Sequence, residues 1–266
     1  MESGMSRVPL LLVAEIGNTT ASFAVFSGET CLDFFKVPSS GLSGAGAVEG
    51  LLARLPEQYP GIEDIAFCSV VPDLDKPALE ALGRILGGRT MQVGAELALP
   101  FTLRYDNPCT FGADRIALCA YACMRYPGEA VIALDIGTAI TLDVIASSGD
   151  YLGGIILPGL DLMARVLHEH TARLPLVKIT EPGSLTGFST EECIRNGIVW
   201  NCVAGIEGVV TRLGHNLADE FREKQVKVLA TGGNASLLSS MFGFSSELDE
   251  LAVLRGTRYL FGINFP

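Results

Sequence analysis

Twice in this chain an apolar run ends in an acid followed by Ile-Gly. The first instance is Val13-Ala14-Glu15-Ile16-Gly17-Asn18-Thr19-Thr20, and the second is Ala133-Leu134-Asp135-Ile136-Gly137-Thr138. The step from Glu15 to Asp135 equals the step from Gly17 to Gly137, about half the length of the 266-residue chain. A strand that stops at acid-Ile-Gly must turn there, and glycine permits both a tight turn and close backbone approach to a ligand. Recurrence of the whole device at one offset predicts two similar α/β halves, each using a β-β-β-α programme.

The flanking patterns agree. Pro9 to Val13 reads as a buried strand and "ASFAVFSGE" as its hairpin partner, with "IEDIAFCSVVP" a third strand closed by Pro72. "DKPALEALGRIL" places Leu79, Leu82, Ile85 and Leu86 at helical spacing. "TLRYDNPCTFGADR" is loop-like, broken by Asn107-Pro108 and Gly112, and "IALCAYACM" reads as a buried helix. In the second half, Val131 to Gly159 gives three strands and two turns. From Ser189 a long helix begins, with Ser189 and Glu192 at capping-box spacing and Ile194, Ile198, Cys202, Ile206, Val209 and Leu213 on one face. "VKVLATGGNASLL" reads as strand, glycine turn and helix start. The boundary between halves is expected near residues 114–120, dividing the chain into 1–117 and 118–266.

Composition excludes several classes. With 48% hydrophobic and 18% charged residues, the chain reads as a well-buried globular protein. A net charge of −11 argues against nucleic-acid binding, which rests on Lys and Arg meeting phosphates. No apolar run is long enough for a membrane span. Seven scattered cysteines without a CxxC pair or a leader-like start point to reduced thiols and a cytoplasmic location.

The two acid-Ile-Gly turns carry the chemistry. Gly17 and Gly137 permit the tight turns, and Asn18, Thr19, Thr20, Thr138 and Thr141 offer amides and hydroxyls that can cradle phosphate oxygens. A carboxylate beside such a cradle repels phosphate unless a cation lies between, so Glu15, Asp135 and Asp143 fit partners of Mg²⁺ or a monovalent ion. One such turn alone is better read as a hairpin whose polar residues satisfy the backbone. Two at matched positions favour phosphate binding. Gly232-Gly233, between strand and helix, admits a flat nucleobase or ribose, although glycine is common in such connections. Asp114 and Arg115 at a loop–helix junction read either as a solvated pair or as a proton acceptor beside a carboxylate anchor. His168 and His170 lack a third ligand at readable spacing, and a surface or dimer-contact role is favoured. Cys119 and Cys123 read as core, and Trp200 as packing at or near a dimer contact.

"EIGNT", "YDNP", "GADR", "DIGTAITLDV", "YLGGIILPG" and "ATGG", in that order from about Leu10 to the C-terminus, resemble the motif series of type III pantothenate kinases. The resemblance implies two ribonuclease H-like halves around an ATP cleft, the actin/hexokinase/heat-shock type of α/β fold. It implies a homodimer that uses ATP, Mg²⁺ and a monovalent cation (K⁺ or NH₄⁺) to phosphorylate pantothenate, the first step of coenzyme A synthesis. By motif, Asp114 corresponds to the catalytic base, and Tyr105, Gly112, Ala113 and Arg115 to the pantothenate clamp. Asp135 corresponds to the K⁺ ligand, Thr138 to an ATP contact, and Thr190 to a residue that reaches pantothenate from the partner subunit. Glu15 to Ser22 correspond to the first phosphate turn, with Glu15 toward Mg²⁺. Two residues depart from the family pattern: Glu15 stands where the family has Asp, and Ile140 where threonine is common. The retained motifs favour an active pantothenate kinase. Glu15 alone favours a weakened or non-catalytic paralogue that binds nucleotide or pantothenate as a regulator, and a kinase of another small alcohol is a third reading.

Overall fold

The computed structural model describes residues 9–43 and 46–266. The first eight residues, part of the start read above as not leader-like, lie outside them. The chain divides into two compact units. One holds the chain up to Leu99 together with Tyr105–Tyr121 and Ala252–Pro266, and the other holds Pro100–Arg104 and Ala122–Leu251. The C-terminal helix, which the sequence reading grouped with the second half, thus belongs to the first unit.

The first unit runs β1 (Leu10–Ile16), β2 (Thr20–Ser27), β3 (Thr30–Pro38), α1 (Ala47–Leu52), α2 (Leu55–Gln58), β4 (Ile62–Ser69), α3 (Pro72–Leu86) and β5 (Thr90–Gln92). α4 (Ala113–Arg125) begins in this unit and ends in the second. The second unit continues with β6 (Ala130–Ile136), β7 (Ala139–Ile145), β8 (Tyr151–Pro158), α5 (Leu160–Glu169), α6 (Thr190–Glu220), β9 (Val226–Thr231), α7 (Ala235–Ser239) and β10 (Glu247–Leu248). α8 (Ala252–Asn264) returns to the first unit.

Each unit has one five-stranded mixed sheet, and the two sheets share a plan. The orders are β3-β2-β1-β4-β5 and β8-β7-β6-β9-β10. In each, an antiparallel three-strand meander is extended by parallel strands on the far side of its first strand. The duplication read from acid-Ile-Gly is therefore present at the level of topology. The central strands β1 and β6 are apolar almost throughout because both of their faces are covered, as expected for interior strands. The edge strands β3 and β8 are half-buried.

Alternation sorts the central strands into two faces. Leu12, Ala14 and Ile16 of β1 pack with Phe23, Ile65, Phe67 and Leu82 in the core of the first unit. Ile132, Leu134 and Ile136 of β6 pack with Leu142, Ile198 and Ile206 in that of the second. Glu15 and Asp135 fall on the opposite faces. In the first unit that face carries α8. Gly256 lets it seat closely on α4, since a Cβ there would collide with the Ala117 backbone.

Candidate active site

In the first unit, Glu15 sits at the end of β1, with Ser22 directly opposite on β2 and Cys68 level with it on β4. Ser22 and Cys68 are buried. The turn that follows is pinned: the Gly17 N–H donates to the Thr20 carbonyl at 3.0 Å, the Ser39 N–H to the Thr19 carbonyl at 3.0 Å, and the Ser39 hydroxyl to the Gly17 carbonyl at 2.6 Å. Asn18, Thr19 and Thr20 are exposed at its tip.

Asp114 stands in the first turn of α4, where unsatisfied helix amides favour an acid. Its Oδ1 accepts the Arg115 N–H at 2.7 Å, and a Cβ on Gly112 would lie 2.6 Å from the same oxygen. Glycine at 112 leaves that carboxylate its position. Burial pushes the Cys68 thiol well above its ordinary range, and the carboxylates of Glu15 and then Asp114 push it further. The two predicted acids therefore act on one sulfur within this unit. Ala113 is buried, and so is Arg115, only 7% exposed. The Arg115 guanidinium lies 4.3 Å from the centroid of the Phe111 ring, and Tyr105 meets the same ring edge-on at 5.0 Å. Tyr105, Gly112, Asp114 and Arg115 are thus brought together as predicted neighbours.

The second unit repeats the row. Asp135 ends β6 with Thr141 opposite on β7 and Thr231 level on β9, both buried. Oγ1 of Thr141 is buried with no hydrogen-bond partner among the described residues. The Gly137 N–H donates to the Ala139 carbonyl at 3.0 Å, and the Gly159 N–H to the Thr138 carbonyl at 3.0 Å. Gly232 has φ of 100°, and a Cβ there would strike both the Asp135 carboxylate and the Ile136 backbone. Only glycine lets the β9–α7 turn close this tightly on Asp135. Gly233 beside it is exposed, and the Asn234 N–H bonds the Ile136 carbonyl at 3.0 Å. Deeper on β7, Asp143 is fully buried and accepts the Tyr151 hydroxyl at 2.8 Å. Ile140 points into the apolar core, away from the Asp135 face, so that departure leaves the polar row intact.

Thr190 opens α6 and is exposed. The predicted cap is present: the Ser189 hydroxyl accepts the Glu192 N–H at 3.2 Å, and the Glu192 carboxylate accepts the Phe188 N–H at 2.7 Å. Thr190 lines a mainly apolar groove of about 1110 Å³ between α5 and α6, with Leu162, Met163, Phe188, Ile194 and Ile198. Phe188 is 95% exposed. Asp135, Thr138 and Gly232 lie together at the β6–β7 turn, whereas Thr190 lies on the α5–α6 groove. His168 is exposed, its Nδ1 2.9 Å from the Leu174 carbonyl, and no group of metal-ligating side chains occurs among the described residues.

The model of the type III pantothenate kinase family matches residues 11–212. A type III pantothenate kinase of Chlorobium luteolum is 50% identical over 254 residues, covering 96% of this chain and 94% of its own. One from Chlorobium chlorochromatii is 44% identical over 265 residues, covering 99% and 100%.

The chain belongs to the type III pantothenate kinase family.

Solved structures bear on the fold alone. A conserved putative Baf family transcriptional activator from Campylobacter jejuni superposes with a TM-score of 0.59 at 20% identity, covering 94% of this chain and 97% of its own. A putative N-acetylmannosamine kinase from Listeria monocytogenes gives 0.51 at 15% identity, covering 95% and 98%. The fold is thus the actin/hexokinase-type α/β fold that the motif series implied.

Two features of this type III pantothenate kinase family member escaped sequence reading. Pro38-Ser39 and Pro158-Gly159 close the two meanders at the same offset as the acids, and each sends an N–H to the threonine carbonyl of its turn. The recurring proline was the available signal. Phe111 was passed over because a lone aromatic before glycine carries no motif of its own.

Proposed function

We propose that this protein is a pantothenate kinase, transferring the γ-phosphoryl group of ATP to the primary hydroxyl of pantothenate. What supports the reading is the set of polar residues that this family member keeps on the faces of its central strands that carry Glu15 and Asp135, and at the start of α4. In the reaction the hydroxyl oxygen forms a bond to the γ-phosphorus as the bond to the β–γ bridging oxygen breaks, and ADP leaves. Asp114 accepts the hydroxyl proton. Arg115, with Tyr105, Gly112 and Ala113 around it, holds the pantothenate carboxylate through its planar donors. Amides and hydroxyls of Gly17, Asn18, Thr19, Thr20, Ser22 and Thr138 hold phosphate oxygens, and Gly232-Gly233 receives the nucleoside.

Cations fit both acids. Thr141 leaves a buried hydroxyl oxygen unused directly opposite Asp135, and hard cations take oxygen ligands, so Asp135 with Thr141 suits K⁺ or NH₄⁺. Glu15, half-buried at the phosphate turn, suits Mg²⁺. When bound, these ions neutralise triphosphate charge that the acids would otherwise repel.

The exposed groove of α5 and α6 supports a homodimer, in which Thr190 of one subunit serves the pantothenate site of the other. An apolar surface with a fully exposed phenylalanine favours burial against a second copy. No described helix is long and apolar enough to cross a membrane, and the cytoplasm remains the proposed location. The 1–117 and 118–266 division stays a proposal for the two ribonuclease H-like halves.

A coupled ADP-release assay tests the function. Release that requires pantothenate together with Mg²⁺ and K⁺ is expected. No pantothenate-dependent release would refute it.

A further inference from the structure

We infer that Phe111 is a positioning residue for acceptor recognition: its ring fixes the plane of Arg115 and thereby the preference for an acceptor that bears a carboxylate. The inference rests on the proposed role of Arg115 as the carboxylate anchor. Three observations carry it. The guanidinium carbon lies 4.3 Å from the centroid of the Phe111 ring, within cation–π range. The ring is itself buried, so its face offers Arg115 a fixed floor rather than a mobile cover. Tyr105 closes on the ring edge-on, with planes 76° apart, so Phe111 lies in contact with both Tyr105 and Arg115.

The chain geometry holds this floor in place. The Phe111 N–H donates to the Pro108 carbonyl at 3.1 Å, the Thr110 N–H to the Asn107 carbonyl at 3.0 Å, and the Gly112 carbonyl accepts the Ile116 N–H at 3.0 Å. The loop before Phe111 and the helix after it are therefore both anchored, and Phe111 lies between them. A guanidinium donates only in its own plane, and a carboxylate is bound best by two parallel N–H groups. A ring 4.3 Å from the guanidinium carbon restricts movement of that group without using any donor. Arg115 is also nearly excluded from water, where attraction to a ring face is stronger than at an exposed site. An aliphatic residue of similar size would fill the space without offering the guanidinium a ring face.

The test compares wild type with Phe111→Leu, Phe111→Tyr and Arg115→Ala on pantothenate and on its alcohol analogue, in which a hydroxymethyl group replaces the carboxylate. Thermal melting first establishes that each variant is folded. Phe111→Leu should raise KM for pantothenate by about 2- to 30-fold, the range of a cation–π contact, with kcat and the KM for ATP changed less than about twofold. It should narrow the preference for pantothenate over the alcohol, and Phe111→Tyr should restore both. An unchanged pantothenate KM in Phe111→Leu, or an equal rise for both acceptors, would overturn the positioning role and leave the Arg115 anchor standing. If Arg115→Ala keeps the full preference for pantothenate, the anchor itself is wrong and the inference falls with it.

Discussion

Glu15 and Asp135 occupy the same place in two copies of one sheet. Each ends a central strand with a small hydroxyl residue directly opposite on the antiparallel neighbour, Ser22 for Glu15 and Thr141 for Asp135. The parallel neighbour supplies the third member of each row, Cys68 in one unit and Thr231 in the other. The two rows follow one plan and differ in their acid, Glu in one and Asp in the other.

Asp114→Asn should keep the fold and lose turnover by about 10²- to 10⁴-fold, the usual worth of a general base. The Arg115 N–H contact can survive, because an amide oxygen can replace Oδ1 as its acceptor. Circular dichroism with single-turnover kinetics checks this. Near-normal turnover in a folded variant would remove Asp114 from the base role.

Glu15 decides whether its row is adapted or worn. Glu is one methylene longer than Asp, and misplacement of about 1 Å can cost on the order of 10²-fold in rate. In an adapted site, Glu15→Asp lowers activity or raises the Mg²⁺ requirement. In a weakened paralogue the same change raises turnover. We expect the first outcome, because Ser22 lies directly opposite Glu15 and the Glu15 and Asp114 carboxylates both bear on the Cys68 thiol. Kinetics of wild type, Glu15→Asp and Glu15→Gln across Mg²⁺ concentrations separate the two. Identical behaviour of all three would end the metal role of Glu15.

Most of this was legible in the sequence because it is carried by short local patterns. Acid-Ile-Gly fixes where a strand must turn, and Ser189 with Glu192 fixes where α6 must start. β3 was missed, so the strand read as the third of the first half is in fact the fourth. The reason is physical: an edge strand is half-buried and need not alternate cleanly, and Cys31, Phe34 and Phe35 break the period. The lateral rows were out of reach for another reason. Cys68 and Thr231 lie far along the chain from their acids, and only strand register brings them level. The return of α8 to the first unit is likewise a tertiary fact, expressed locally only by Gly256.

Potassium dependence should centre on Asp135 and Thr141. Thr141→Val removes the unused Oγ1 while keeping the shape, so the fold should hold and the half-saturating K⁺ concentration should rise. Asp135→Ala should abolish the K⁺ response. Equal rates in sodium, potassium and ammonium buffers for the wild type would contradict the assignment.

The groove between α5 and α6 predicts twice the chain mass in sedimentation, and Phe188→Asp should shift the protein toward monomer by placing a charge in the buried contact. Thr190→Ala chains mixed with Asp114→Asn chains should form hybrids with one intact site and recover activity above either parent. Confirmed subunit exchange without recovery would show that the sites are not shared.

The central claim is tested most directly by following the phosphoryl group itself. With enzyme in excess over γ-labelled ATP, in Mg²⁺, K⁺ and pantothenate, the label should appear on 4′-phosphopantothenate within one turnover, and this transfer should vanish in Asp114→Asn. Label that remains on ATP, or passes only to inorganic phosphate, would contradict it.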